Sequence, residues 1–230
     1  MVDTQEQYLK QITSLYWENG YNPDISQMER LAHFADLIVE KNAEINLISR
    51  KDIESIVENH IFLSSFIAKE IPERCTRFLD IGTGGGLPGI PIAIMKPMLR
   101  GVLVDSVKKK VDAVTEFIDR LMLNNVKAVC SRVEEPEFVE NYKNSFDLIV
   151  SRATVPMIIL IRYALPLIKE RAHIFAMKGG DLTEELERAS VKYASNVKKS
   201  TIFELHYKPN NVKNIKGKKL VLMELVKSPI

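Results

Sequence analysis

Apolar residues in the first third of the chain recur at spacings of three and four. Leu31, Phe34, Leu37 and Ile38 lie on one face of an amphipathic helix, and Ile53, Ile56, Val57, Ile61 and Phe62 continue the same period after Asp52. Ser26 and Glu29 fit a capping box at the start of the first of these helices. From Arg77 the pattern changes to short continuous apolar runs separated by helical stretches. Phe78–Ile81, Gly101–Asp105, Val126–Cys130, Phe146–Val150 and Ala172–Met177 are predicted strands; Leu87–Met95, Val107–Leu123 and Val155–Glu170 are the helices between them. Strand and helix alternating at this spacing predict parallel strands joined by right-handed crossovers. Two later β-type runs, Thr201–Tyr207 and Lys218–Val226, are predicted to pair antiparallel at the sheet's edge.

The expected architecture is therefore α/β. A helical region over residues 1–75 precedes a Rossmann-like doubly wound sheet with a terminal antiparallel hairpin over 76–230. That topology matches class I methyltransferases better than nicotinamide dehydrogenases. With 230 residues, 46% apolar and 27% charged, the chain can bury a large core and is not intrinsically disordered. The formal net charge of +2 conceals a segregated distribution. Residues 1–75 carry 13 acids and 7 bases, whereas 76–230 carry 17 acids and 25 bases, which points to an anionic partner for the second part.

Cys75 and Cys130 form neither a disulfide framework nor a zinc pattern, and both read as small buried hydrophobes. The polar N-terminus lacks a secretory signal, and the apolar run from Val155 to Ile161 stops at Arg162, too short for a membrane span. The expectation is a reduced, cytoplasmic protein acting as a monomer.

The strongest local motif is Asp80-Ile81-Gly82-Thr83-Gly84-Gly85-Gly86-Leu87-Pro88-Gly89, which leaves a strand and opens a helix. A dinucleotide fingerprint, Gly-x-Gly-x-x-Gly, needs glycine where Leu87 stands. The alternative acid-x-Gly-x-Gly-x-Gly is met by Asp80, Gly82, Gly84 and Gly86 and suits S-adenosyl-L-methionine. Asp105 ends the second strand, where a carboxylate can accept both ribose hydroxyls of an adenosine or cap the following helix. Ser131-Arg132-Val133-Glu134 follows the third strand, beside the expected adenine position, and Ser151-Arg152-Ala153 follows the fourth.

These residues resemble the RsmG (glucose-inhibited division protein B) family of 16S rRNA guanine-N7 methyltransferases. The resemblance rests on Leu79–Ile94 with its Gly-Leu-Pro-Gly-Ile-Pro core, Val104-Asp105-Ser106, Arg132-Val133-Glu134-Glu135, Phe146-Asp147 and Ser151-Arg152-Ala153. Ile45-Asn46-Leu47 followed by His60 adds an N-terminal match. It implies S-adenosyl-L-methionine as cofactor, with contacts at Gly82, Leu87, Val133, Glu134 and Arg152. It also implies 16S rRNA or the small ribosomal subunit as partner. Ile48 and Leu63 depart from it, since the family usually has Thr and Asp there.

The chemistry agrees. Neither cysteine lies in a loop after the fourth or fifth strand, as a C5-pyrimidine methylase requires. Ser151-Arg152-Ala153-Thr154 is not the Pro-Pro-aromatic motif of an exocyclic-amine methylase. Guanine N7 carries a free in-plane lone pair and needs no general base, so orientation is the expected catalytic device and no catalytic residue is assigned. His33, His60, His173 and His206 read as packing or surface residues. Seven lysines against Glu204 between Lys198 and Lys219, with Lys108-Lys109-Lys110 and Lys178, suit phosphate contacts. Two alternatives stand beside this. A nicotinamide-dependent reductase is disfavoured by Leu87 and by the lack of any Tyr-x-x-x-Lys dyad. A non-catalytic ribosome-assembly RNA-binding protein would retain the fold alone.

Overall fold

A computed structural model describes residues 4–152, 154–205, 207 and 218–227. Ala153, His206, Lys208, Lys213 and Lys216, invoked above from sequence, lie outside the described residues.

The chain begins with helices α1 (Thr4–Glu18) and α2 (Ile25–Asn42). The cap of α2 is Asp24, not Ser26: its carboxylate accepts from the Ser26 N–H at 2.8 Å, and the Gln27 side chain accepts from the Asp24 N–H at 3.1 Å. Both pairs satisfy the same spacing rule, and the residue whose backbone is extended takes the role. The second predicted helix is broken into a 3₁₀ turn (Arg50–Ser55), a π-helical segment (Val57–Phe62), one α turn, α3 (Leu63–Phe66), and a further 3₁₀ turn (Ile67–Glu70).

The α/β part follows as β1 (Arg77–Ile81), α4 (Gly89–Met95), β2 (Arg100–Asp105), α5 (Lys108–Arg120), β3 (Val126–Cys130), α6 (Pro136–Tyr142), β4 (Phe146–Arg152), α7 (Met157–Leu167), β5 (Ile168–Gly179), α8 (Thr183–Lys192), β6 (Val197–Glu204) and β7 (Lys218–Val226). The seven strands form one sheet in the order β3-β2-β1-β4-β5-β7-β6, a mixed sheet of the class I methyltransferase type. Pairs among β1 to β5 are parallel, while β7 inserts antiparallel between β5 and β6. The order reverses between β1 and β4, and ligands bind outside the strand ends at such a switch point.

Alternation along the strands divides the core. Phe78, Leu103, Leu148, Val150 and Phe175 face one side with α4, α5 and the N-terminal helices; Leu79, Ile81, Val102, Val104, Ile149 and Ile174 face the other with α6, α7 and α8. Both faces are covered, which is why these strands read as unbroken apolar runs. Residues 4–75 thus share a hydrophobic cluster with one face of the sheet: Phe34 of α2 packs edge-on against Phe117 of α5, with ring centroids 5.8 Å apart. Cys75 is buried as expected, but Cys130 is exposed, because β3 is an edge strand whose last residue emerges at the rim. No helix among the described residues is long and apolar enough to cross a membrane.

Candidate active site

The glycine loop leaves β1 at the switch point, and Asp80 holds it from below. Asp80 is fully buried, and its Oδ2 accepts from Thr83 Oγ1 at 2.7 Å and from the Gly89 N–H at 2.9 Å. Its other oxygen, Oδ1, has no hydrogen-bond partner. Burial pushes this carboxyl up to about 7, with Asp105 adding to the rise, while the Thr83 and Gly89 bonds and the Arg152 charge act in the opposite sense. The loop thus rests on a buried acid that is partly protonated at neutral pH and bonded through one oxygen.

Gly82, Gly84 and Gly86 have φ of 71°, 57° and 88°, a region that glycine enters without strain. Their surroundings differ. A Cβ on Gly82 would stand 2.5 Å from Thr154 Cγ2, so this glycine admits the loop after β4. A Cβ on Gly84 would meet nothing within 4 Å, so the rim is open there. Leu47, from the N-terminal region, covers Gly85. Leu87 is buried at the loop's end.

Asp105 ends β2 beside the open glycine. Its Oδ2 accepts from the Gly84 N–H and its Oδ1 from the Val107 N–H, both at 2.9 Å. It therefore pins the loop and the turn that leads into α5 at once, and each oxygen keeps a lone pair for a ligand hydroxyl. The next strand end lies alongside, since the Ser131 N–H donates to the Asp105 carbonyl at 3.1 Å. There Val133 is buried and Glu134 exposed, with Tyr163 Oη donating to Glu134 at 3.4 Å. The structure thus brings Gly82, Gly84, Leu87, Asp105, Val133 and Glu134 to adjacent strand ends.

Arg152 ends β4 and turns towards the N-terminal region. Its Nη1 donates to Ser64 Oγ at 3.1 Å; its Nη2 donates to the Asn59 carbonyl at 3.2 Å and to His60 Nδ1 at 2.8 Å. Burial lowers its pKa to about 10, with Asp52 and Asp80 resisting the shift, so it stays a cation at neutral pH. It also lines a cavity of about 670 Å³ at the carboxyl ends of β4 and β5. Lys178, Lys218 and Lys219 add cations to the wall, Asn59 adds an amide, and Val155, Pro156, Met177 and Leu182 form apolar surfaces. Glu185, the acid of this wall, is engaged: it meets Lys178 Nζ at 2.6 Å and accepts from the Met157 N–H at 2.6 Å.

His60 is the residue the sequence reading undervalued. It is only 7% exposed, and burial pushes its pKa down to about 3, with Arg152 and Lys218 adding to the shift. Because Nδ1 accepts from Arg152, the proton of the neutral ring sits on Nε2, which lies 3.6 Å from Asp52 Oδ2. The folded chain holds this ring neutral, so its contribution to stability is present above the ordinary value near 6.5 and is lost as the pH falls towards 3. In acid denaturation, the wild type should lose about 1.4 kcal/mol per pH unit more than His60→Gln between pH 6 and 4. Parallel curves would contradict the buried neutral ring.

The open glycine, the ribose-type carboxylate beside it and the buried acid below fit an adenosine-bearing cation. Comparison with known proteins agrees. The family model described as rRNA small subunit methyltransferase G (GidB) matches residues 27–213. Ribosomal RNA small subunit methyltransferase G of Chlorobium luteolum is 37% identical over 82% of this chain and 78% of its own length. The protein of that name from Bacteroides thetaiotaomicron is 41% identical over 72% of this chain and 82% of its own. Among solved structures, a predicted O-methyltransferase from Agrobacterium tumefaciens superposes with a TM-score of 0.58 at 13% identity, over 70% of this chain and 80% of that one. An rRNA methylase from Streptococcus thermophilus gives 0.52 at 12% identity, over 74% of this chain and 98% of that one. At these identities the structural likeness speaks for the fold.

Proposed function

Because the chain belongs to the rRNA small subunit methyltransferase G family, we propose that it methylates N7 of a guanine in 16S ribosomal RNA, with S-adenosyl-L-methionine as donor. The observation that carries this reading is the placement of Asp105 against the open rim at Gly84, next to a cation-lined cavity at the following strand ends.

When bound, the donor supplies a methyl carbon already activated by its sulfonium. The protein's residues bind, orient and exclude water. Gly82 and Gly84 let the backbone approach, and Leu87 closes the loop end. Asp105 would accept the ribose hydroxyls, Val133 and Glu134 would flank the adenine, and Arg152 would meet the carboxylate of the amino-acid end. The apolar walls Val155, Pro156 and Met177 suit a flat base, and the lysines and Asn59 supply donors. Guanine O6, next to N7 on the same edge, is an acceptor that a donor-rich wall can hold while the N7 lone pair stays free to attack. Glu185 is drawn into an ion pair with Lys178 and accepts from the Met157 N–H, both through Oε1, and the nucleophile itself carries no proton for a base to remove.

Lys218 and Lys219 on β7 put cations on the cavity wall, suited to phosphate contacts that give affinity without sequence choice, whereas Lys198 and Lys199 on β6 lie beside Leu225 and Glu224, at the other end of the strands. The reading implies a protein that acts in the cytoplasm on the small subunit's RNA. Calorimetry provides the test: saturable binding of S-adenosyl-L-methionine and none of NADH is expected. Binding of NADH with no binding of the sulfonium compound would replace this reading with the reductase.

A further inference from the structure

We infer that His60 is a positioning residue, which holds the Arg152 guanidinium in the orientation that receives the carboxylate of the donor's amino-acid end; this rests on the cofactor reading above. The first support is backbone geometry. His60 and Asn59 belong to the π-helical segment Val57–Phe62, and such wide turns are rare and concentrate at functional sites. The turn directs Asn59 and His60 at the carboxyl ends of the strands. The Asn59 carbonyl meets Arg152, Asn59 Oδ1 accepts from Lys218 Nζ at 2.8 Å, and the His60 ring meets Arg152.

The second support is the directionality of the bonds. Arg152 can only donate, so Nδ1 must be the unprotonated acceptor and the neutral ring carries its proton on Nε2, the side on which Asp52 Oδ2 lies 3.6 Å away. Ser64, Asn59 and His60 together engage three of the five guanidinium N–H groups and leave two for a ligand.

The third support is the position of the guanidinium. Thr154, two residues after Arg152, lies over Gly82 of the donor loop, and both Arg152 and Thr154 line the cavity. With the ribose at Asp105 on β2 and the adenine towards β3, the amino-acid end extends the other way along the rim, towards β4. Its carboxylate is the donor's one anionic group, and Arg152 is the cation at that strand end.

The test compares two thioethers that differ in the amino-acid end, S-adenosylhomocysteine and 5′-methylthioadenosine, titrated calorimetrically into the wild type, His60→Ala and His60→Gln. The wild type should bind S-adenosylhomocysteine more tightly. His60→Ala should lose roughly tenfold in affinity for it, the scale of one hydrogen bond to a charged group, with 5′-methylthioadenosine unchanged. His60→Gln, whose side-chain oxygen can replace Nδ1 as acceptor, should recover most of the loss. Equal weakening of both ligands in His60→Ala, or no weakening of either, would overturn the inference. A wild type that binds neither compound would instead overturn the cofactor reading beneath it, and one that binds both equally would remove Arg152 from the carboxylate.

Discussion

Asp105→Ala is expected to weaken S-adenosyl-L-methionine binding about a hundredfold, corresponding to two charge-assisted hydrogen bonds to the ribose. The substitution also removes the acceptors for the Gly84 and Val107 N–H groups, each now 2.9 Å from a carboxylate oxygen. Loss of the Val107 bond, in the turn before α5, should cost about 1 kcal/mol, the scale of one hydrogen bond, so the protein should still fold. Asp105→Asn separates the two effects. It keeps one acceptor oxygen for the backbone but loses the charge and half the ribose contact, and should fall between wild type and alanine in affinity while melting close to wild type. Calorimetry paired with thermal melting reads both quantities. If affinity survives in Asp105→Ala while the melting temperature drops, the carboxylate is a structural cap alone.

Gly101→Ala should produce the largest loss of stability from a single added methyl group. An added Cβ would stand 2.3 Å from two ring carbons of Phe78 and 2.9 Å from Val126 Cγ1. Phe78 has no exposed surface, and Leu79 and Val102 beside it are buried as well, so the ring cannot easily swing into solvent. Overpacking of this kind costs about 1–3 kcal/mol, sometimes more. At roughly 2–4 °C per kcal/mol for a chain of this size, the melting temperature should fall by several degrees. Gly179→Ala is the matched control, because a Cβ there meets nothing within 4 Å and should leave stability nearly unchanged. The site at the opposite end of the strands should retain its affinity for the donor in Gly101→Ala. Equal melting of the two alanine variants would mean that β1 and β2 are not packed as described.

Much of this arrangement is written locally in the chain. β1, β2 and β4 are legible because parallel strands covered on both faces need unbroken apolar runs, and Phe78–Ile81, Gly101–Asp105 and Phe146–Val150 supply them. The loop at Gly82–Gly86 and the carboxylate at Asp105 are legible because a rim that admits a ligand needs glycine and an acid at fixed strand ends. Helices α6 and α8 escape a periodicity reading because they are short, and their few buried residues, Phe138 in the first and Leu186 and Ala189 in the second, give little signal. The cap of α2 shifts from Ser26 to Asp24 because two nearby pairs satisfy one spacing rule and tertiary placement chooses between them.

The roles of Asn59, His60 and Ser64 are a different matter. The apolar period through Ile56, Val57, Ile61 and Phe62 is that of an ordinary helix, and the π-helical widening depends on partners some 90 residues away at Arg152. Glu185 is likewise brought to the Met157 N–H by the docking of α8 against α7, which no local pattern encodes. The donor rim is thus local in sequence, whereas the cavity beside it is assembled from distant segments.

Methyl transfer itself tests the central claim. Small-subunit ribosomal RNA from cells lacking this protein, incubated with the purified chain and methyl-labelled S-adenosyl-L-methionine, should gain label at one guanine. Mapping should identify the product as N7-methylguanine, and Asp105→Ala should abolish it. Label on an exocyclic amine, on a pyrimidine carbon or on no base at all, with the donor demonstrably bound, would contradict the account.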